Sequence, residues 1–377
     1  MPLTVTLTPA HRRDEAAEVW QRIEGRLATP PLAAGWTWTS TWLEHFGDVV
    51  PHRFLTVLRD GEPVGMTLLT SSRRGPRPVQ RRRLHLGTAG EPGDESVFVE
   101  YNDLLCAPED LPAVCRAVAS ALGTVPRWDT LALDGFAPRT AALLGSALGL
   151  EGREVPSWTI RLDPDRTVLE GIGRSSRRLV RQAIETLRPA EPELATDPAR
   201  AVEIFDELVE LHQRRWVGLG EPGAFASTRR RGFVRDVLLR LLPEGRAAVG
   251  RLPGADGVIG CVVGWIDDGR FLYYQGGFAQ YEEVKKRAGL LGHAVFAEHF
   301  RRAGLVQYEL LAGDAQYKRQ LSGGYHNTLV WADQDRLRPR AAALGGAQWL
   351  KERSGEVAGR GAAAVRQRVG SVSGRSA

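Results

Sequence analysis

The sequence predicts an α/β protein of two mixed-sheet domains in tandem, with helices on both faces of each sheet. Three observations carry this. The chain has 377 residues, more than one compact core usually holds. Its second half reads strand, turn, strand, turn, strand, helix, strand, short helix, strand. Its first half shows a looser version of the same order, without a sequence repeat. The expected domains are 1–155 and 156–340, followed by a disordered Gly-, Ala-, Ser- and Arg-rich tail at 355–377.

In the first half, residues 53–59 alternate as a strand, Asp60-Gly61 supplies a turn and 63–70 returns. Residues 71–83 are Arg- and Pro-rich and read as a loop. Residues 84–87 and 101–105 read as short strands. Residues 108–122 read as a helix, 129–133 as a strand, and 138–148 as a helix ended by Gly149. A strand at 157–162 links the halves. The helical region 165–188 is strongly basic and has a break at Gly171 to Gly173.

In the second half, 198–217 and 228–242 are amphipathic helices. In the first, Val202, Phe205, Leu208, Val209 and Trp216 lie near one face. Strands are expected at 246–252, 258–266, 270–275, 306–311 and 329–332, with a helix at 288–303.

Composition narrows the function. No apolar run approaches the ~20 residues that span a bilayer, so no stable membrane insertion is expected. The N-terminal stretch lacks a secretory pattern, and the chain reads as cytoplasmic. Cys106, Cys115 and Cys261 are an odd set without metal-ligand spacing, which argues against a disulfide framework and against a bound metal. The formal charge of +5 rests on arginine, since only Lys285, Lys286, Lys318 and Lys351 are lysines. The basic residues are mixed with acids rather than striped with aromatics, so nucleic acid is not an expected partner.

Three runs could carry chemistry. The strand ending Gln275-Gly276-Gly277-Phe278 precedes Lys285-Lys286-Arg287, and a helix begins near Gly289. Free N–H groups at a helix start favour an anion such as a diphosphate. Gly289 and Gly292 keep side chains out of the way, and Leu290 lies in the same turn. An ordinary solvated turn has the same appearance. The run Gly313-Asp314-Ala315-Gln316-Tyr317-Lys318 follows a strand directly. Asp314 could cap the next helix, with Tyr317 and Lys318 projecting from its first turn. Finally, His212 and Arg215 share a helix face. His212 could act as a base or be structural.

These runs, in this order, resemble the acetyltransferase domain of CelD-type, or BioF-like, proteins of the GNAT superfamily. The matching stretches are Leu211-His212-Gln213-Arg214-Arg215-Trp216, Gly220 with Gly223-Ala224-Phe225-Ala226, Phe233, Tyr274 with Gly276-Gly277-Phe278, Gly289, and Glu309-Leu310-Leu311-Ala312-Gly313-Asp314 with Tyr317-Lys318. Trp38-Thr39-Ser40-Thr41-Trp42-Leu43 and Glu100-Tyr101-Asn102-Asp103 resemble that group's N-terminal part. The likeness covers about residues 36–335. Three positions depart from it. Ala279 stands where the family usually has an acid, and Glu309 and Ala312 stand where it tends to carry Asp and Arg.

The resemblance implies a doubled GNAT-like fold with the second domain the better match. It implies an N-acyltransferase that uses acetyl-CoA or another acyl-CoA as co-substrate. The acceptor would be an amine of a small molecule or of a cell-envelope or polysaccharide precursor. Gln275, Gly276, Gly277, Lys286, Arg287, Gly289, Leu290 and Gly292 would hold the acyl-CoA. Glu309 or Asp314 would be the base, with His212 in reserve. Tyr317 would protonate the thiolate, and Lys318 and Arg215 would order an anionic group. Two alternatives stay open. One is a Fem-like transferase fed by aminoacyl-tRNA, with the arginines of 165–188 as its only candidate surface. The other is a non-catalytic binding module.

Overall fold

The structure is a computed structural model that describes residues 3–75, 80–93, 95–283 and 285–335. The expected tail at 355–377 and residues 336–340 of the second expected domain lie outside the described residues.

The first half runs β1 (Leu3–Pro9), α1 (Arg13–Glu24), α2 (Trp36–Phe46), β2 (His52–Arg59), β3 (Glu62–Arg74), β4 (Arg81–Leu86), β5 (Leu105–Cys106), α3 (Leu111–Thr124), β6 (Thr130–Phe136), α4 (Pro138–Leu148) and β7 (Arg153–Arg161). The second half begins with α5 (Val168–Gly171), α6 (Arg174–Leu187), β8 (Glu193–Leu194), α7 (Pro198–Gly218) and α8 (Thr228–Leu241). It continues through β9 (Ala247–Gly254), β10 (Gly257–Asp267), β11 (Arg270–Phe278), α9 (Ala288–Arg302), β12 (Gln307–Ala312), α10 (Gln316–Ser322) and β13 (His326–Asp335).

Local chemistry sets many of these boundaries. Asp60 and Gly61 both adopt positive φ, 52° and 87°, as a two-residue hairpin turn requires. Thr167 and Glu170 form a capping box, and the expected break after Gly171 separates α5 from α6. Asp197 caps α7 by accepting from the Arg200 amide, ahead of Pro198 in the first turn. Gly149 ends α4 in the left-handed conformation.

Two expectations need correction. Residues 71–83 are not a loop throughout. Strand β3 extends to Arg74 and pairs with β4 from Leu69↔Leu86 to Arg74↔Arg81. The arginines there, Arg73-Arg74 and Arg81-Arg82-Arg83, lie where the hairpin extends beyond its apolar core. Of the expected strand 101–105 only Leu105 lies in a strand, Leu105–Cys106 against β3, because Asn102 bridges instead to Phe136.

Among the described residues the strands form one sheet, ordered β1-β2-β3-β4-β6-β13-β7-β12-β11-β10-β9-β8, with β5 against β3. The halves exchange their last strands. Strand β7 follows the first half in sequence but lies between β12 and β13, and β13 lies beside β6 of the first half. A shared apolar core reinforces this joint. Trp20, Trp42 and Phe46 from the first half pack with Phe205, Phe233 and Leu238 from the second, all essentially fully buried. Burying each such side chain is worth roughly 1.5–3 kcal/mol. Cys261 is buried in β10, and burial pushes its thiol well above the usual cysteine range.

Candidate active site at the open fork of the second half

Strands β11 and β12 run parallel and pair only from Arg270↔Gln307 to Leu272↔Glu309. Beyond that point they part. Strand β11 runs on to Phe278 against β10 alone, and β12 stays with β7. Two irregularities sharpen the fork. The β10–β11 register shifts between Val263 and Gly264, leaving Tyr274 as the extra residue. The β12–β7 register shifts between Glu309 and Ala312, and Leu311 sits at φ 60°. Bulges of this kind bend a strand away from its neighbour. Tyr273, Tyr274, Gln275 and Gly276 are half-buried although they lie in an interior strand. Gly277 is glycine for a packing reason, since a Cβ there would collide with the Leu208 carbonyl oxygen of α7.

The first half has an equivalent fork, and it is filled. Strands β4 and β6 are parallel and pair from Arg83↔Thr130 to His85↔Ala132. Past that point Asn102 enters between them. Its amide donates to the Gly135 carbonyl at 2.9 Å, and its carbonyl accepts from Ala137 at 3.0 Å. Its side-chain nitrogen donates to the carbonyls of Leu86, at 2.9 Å, and Asp134, at 3.3 Å. A Cβ on Gly87 would strike this side chain. In the second fork the chain bonds only the β12 side, through Lys318 and Glu100, and β11 beyond Leu272 has no strand on that side.

The segment that plugs the first fork also walls the second. The Val97 carbonyl accepts from the Tyr274 hydroxyl at 2.7 Å. A Glu100 oxygen accepts from the Ala312 amide at 3.5 Å, and the Tyr101 hydroxyl donates to Glu309.

The expected acyl-CoA residues gather at the fork and the helix beside it. Gln275, Gly276 and Gly277 are on β11. Arg287 is the N-cap residue of α9, and Gly289, Leu290 and Gly292 lie in its first turns. Leu290 is buried, and Gly292 packs so closely on Phe278 that any side chain would collide with the ring. Gly289 has more room: a methyl group placed on it would lie 3.7 Å from the Phe278 ring, an ordinary contact. Lys285 and Arg287 are exposed, whereas Lys286 pairs with Glu283 at 3.2 Å and lies 5.0 Å over Tyr281.

The expected catalytic residues separate. Glu309 is fully buried and both its oxygens are engaged. One accepts from Tyr101 and from Ser157 at 2.8 Å; the other accepts from Asn327 at 2.7 Å and Arg270 at 3.2 Å. Asp314 is exposed and pairs with Arg319. It does not cap α10, whose N-cap is Ala315 without a side-chain bond. Lys318 does not project outward. Its Nζ turns back to the Ala312 and Leu311 carbonyls, at 2.7 and 3.2 Å, and burial holds its pKa below the usual lysine range while Glu100 opposes that shift.

Tyr317 stacks on His293 with ring centroids 5.1 Å apart, and burial pushes its hydroxyl up to about 12. Its hydroxyl has no hydrogen-bond partner among the described residues. Arg215 is half-buried and acts electrostatically on Tyr317 and Tyr273. His212 is buried against Trp216 and Phe225, with Gln213 Oε1 at 3.1 Å, and desolvation lowers it to about 4. It is neutral near pH 7.

Glu100 and Tyr101 were visible in sequence only as part of a family-like run. The available signal was an acid and a tyrosine beside Asn102, in a stretch without strand or helix periodicity. Their place at the second fork depends on contacts with β12, some two hundred residues away.

Residues 173–319 match the family described as the acetyltransferase (GNAT) domain. This stretch is a GNAT domain. It contains α6 through β12 and most of α10, and so both strands of the open fork. Its class is acyltransferase. No curated protein matches the chain in a sequence comparison. The fold of the whole chain is similar to the crystal structure of FemX, at 12% identity and a TM-score of 0.54, covering 87% of this chain and 98% of that one. It is also similar to the C-terminal domain of a putative lysylphosphatidylglycerol synthetase from Agrobacterium fabrum, at 13% identity and 0.52, covering 92% and 96%. The L-PGS structure from Bacillus licheniformis matches at 12% identity and 0.53, covering 87% and 92%. The GNAT domain therefore sits within a doubled architecture like that of FemX. No helix among the described residues is long and apolar enough to cross a membrane.

Proposed function

We propose that the chain is an acyl-CoA-dependent N-acyltransferase that works at the fork of its second half. The contrast between forks carries this reading: one is filled by Asn102, the other is open. A pantetheine-like arm could pair with the free edge of β11, as Asn102 pairs in the first half. Its diphosphate would meet the start of α9, where unpaired amides and the exposed Lys285 and Arg287 favour an anion. Amides of β11 near Gln275 to Gly277 would stabilise the oxyanion of the tetrahedral intermediate. Tyr317, protonated at neutral pH and with a free hydroxyl, suits delivery of a proton to the leaving thiolate. Lys318 braces the carbonyls where β12 leaves β11.

Calorimetric titration with acetyl-CoA and longer acyl-CoAs tests this reading. Binding to at least one is expected; failure of all would sink it. The acceptor proposed is an amine of a small molecule or envelope precursor.

A second reading draws on the fold shared with FemX and the lysylphosphatidylglycerol synthetases. On α6, Arg174, Arg178 and Arg181 are exposed, forming a basic face that could hold the phosphates of an aminoacyl-tRNA. Incubation with charged tRNA and an amine acceptor separates the two. Aminoacyl transfer without acyl-CoA binding would favour this second donor.

A further inference from the structure

We propose that the cleft between the halves is the acceptor pocket for an unbranched primary amine on an apolar or aromatic body, and that Glu100 is the base that takes its proton. This rests on the acyl-transfer reading above and names its acceptor class and base.

The cleft draws on both halves. Trp38, Phe98 and Glu100 come from the first, and Trp265, Tyr274 and Leu311 from the second. Leu272, where strand pairing stops, also lines it, so a ligand here lies beside the free edge of β11. The enclosed space is small, about 20 Å³, which admits the ammonium end of an acceptor with its body toward the mouth. Its walls are largely aromatic. Trp38 and Trp265 pack edge-to-face at 5.8 Å, and Trp265 tilts against Tyr274 at 5.4 Å. Such walls suit an apolar body with one cationic end.

Among the described acids at this site, Glu100 alone has no ion pair within 4 Å, whereas Asp267 and Glu309 are each paired with arginine. Glu309 already accepts four hydrogen bonds. Asp267, also on the cleft wall, is held by Arg270 at 3.2 Å and Arg246 at 3.6 Å. Glu100 has a single long bond, from the Ala312 amide. The charged groups that act on it are Lys318 from α10 and Glu309 from β12. Burial pushes its carboxyl above the usual carboxylate range, and Lys318 opposes that shift. A base of this kind titrates closer to neutrality.

The backbone here is costly to hold. Non-glycine residues with positive φ number seven among the described residues. Asp60 and Asp268 lie in hairpin turns, Arg127 in a loop and Arg188 at a helix end, all ordinary places for it. The other three, Phe98, Tyr101 and Leu311, line this one cleft. A non-glycine residue is strained in this conformation and keeps it only where its surroundings enforce it.

The transfer balances as follows. Glu100 takes a proton from the ammonium, leaving a neutral amine. The nitrogen lone pair forms a bond to the thioester carbon. The tetrahedral intermediate collapses, the C–S bond breaks and the pair leaves on sulfur. The remaining excess proton passes from nitrogen to the thiolate through Tyr317. The products are an amide and a free thiol, and Glu100 returns its proton to solvent.

The test uses the full chain, acetyl-CoA and two amines, phenethylamine and glucosamine, with thiol release measured between about pH 6 and about pH 9. Glu100→Gln should bind acetyl-CoA within about twofold of wild type by calorimetry, yet lose kcat/KM for phenethylamine by about 100-fold. The wild-type rate should rise with pH through the titration of Glu100, and this limb should vanish in Glu100→Gln. Glu100→Asp should restore part of the rate and the limb. Phenethylamine should outpace glucosamine. An unchanged rate and pH limb in Glu100→Gln would overturn the base. A preference for glucosamine, or no amine turnover by a wild type that binds acetyl-CoA, would overturn the acceptor. A wild type that fails to bind acetyl-CoA removes the acyl-transfer reading and this proposal with it.

Discussion

The two forks of this molecule start from the same geometry and end differently. In each, a pair of parallel strands separates after three paired positions. In the first half the exposed edges are bonded by the chain itself, through Asn102. In the second they face a cleft. Buried backbone groups must find partners, so a fork is either structural, with a built-in plug, or receptive. The plug also has a second consequence. Filling one fork carries Glu100 and Tyr101 to the wall of the other.

The largest test of this contrast is Asn102→Ala. It leaves the Leu86 and Asp134 carbonyls without their donor, at a cost of roughly 2–5 kcal/mol for two buried acceptors. The melting temperature should fall accordingly, while calorimetric affinity for acetyl-CoA stays unchanged. A large loss of affinity would place the acyl donor at the wrong fork.

Tyr317→Phe should lower kcat by about 10–100-fold with acetyl-CoA affinity intact. An unaltered kcat in stopped-flow thiol release would remove Tyr317 from proton delivery.

Acid should loosen the second half first. The buried His85 of the first half has Asp134 at 2.7 Å. His212 and His293 of the second are desolvated, and their pKa values fall to about 4 and about 3. Their folded values are depressed, so the unfolded chain binds more protons below pH 6.5 and stability drops as pH falls from there. At pH 5 each contributes a loss of about 2 kcal/mol. Hydrogen exchange at pH 5 should rise first in α7 and α9; equal acceleration in α3 would contradict this.

The smallest effect is expected at the exposed start of α9. Arg287→Ala should weaken acetyl-CoA binding by about 2–5-fold, and the deficit should shrink with added salt. A salt-independent change would point to packing instead.

Much of the second half was legible in sequence. The period of the apolar residues marked α7, α8 and α9, and turn residues marked the β9–β10–β11 meander. Gly289 and the Gly313 to Lys318 run were placed beside the right strands. Elements β1, α1 and α2 carried no equally clear pattern, although α2 holds the Trp38 and Trp42 of the family-like run. The side-chain roles were harder to read. Glu309 looked as available as any strand acid, and only Tyr101, Ser157, Arg270 and Asn327 reveal that it is saturated. Lys318 looked like a surface residue and is buried on two carbonyls.

By itself, then, the sequence determined the elements, their order and the GNAT character of the second half. Those depend on local period, caps and turns, which act over a few residues. Only the tertiary structure decided the exchange of β7 and β13, the filling of one fork and the carriage of Glu100 to the other. Each of these is a pairing between distant segments. Hydrogen-bond partners at such separations are chosen by the packed sheet as a whole, not by the residues beside them in the chain.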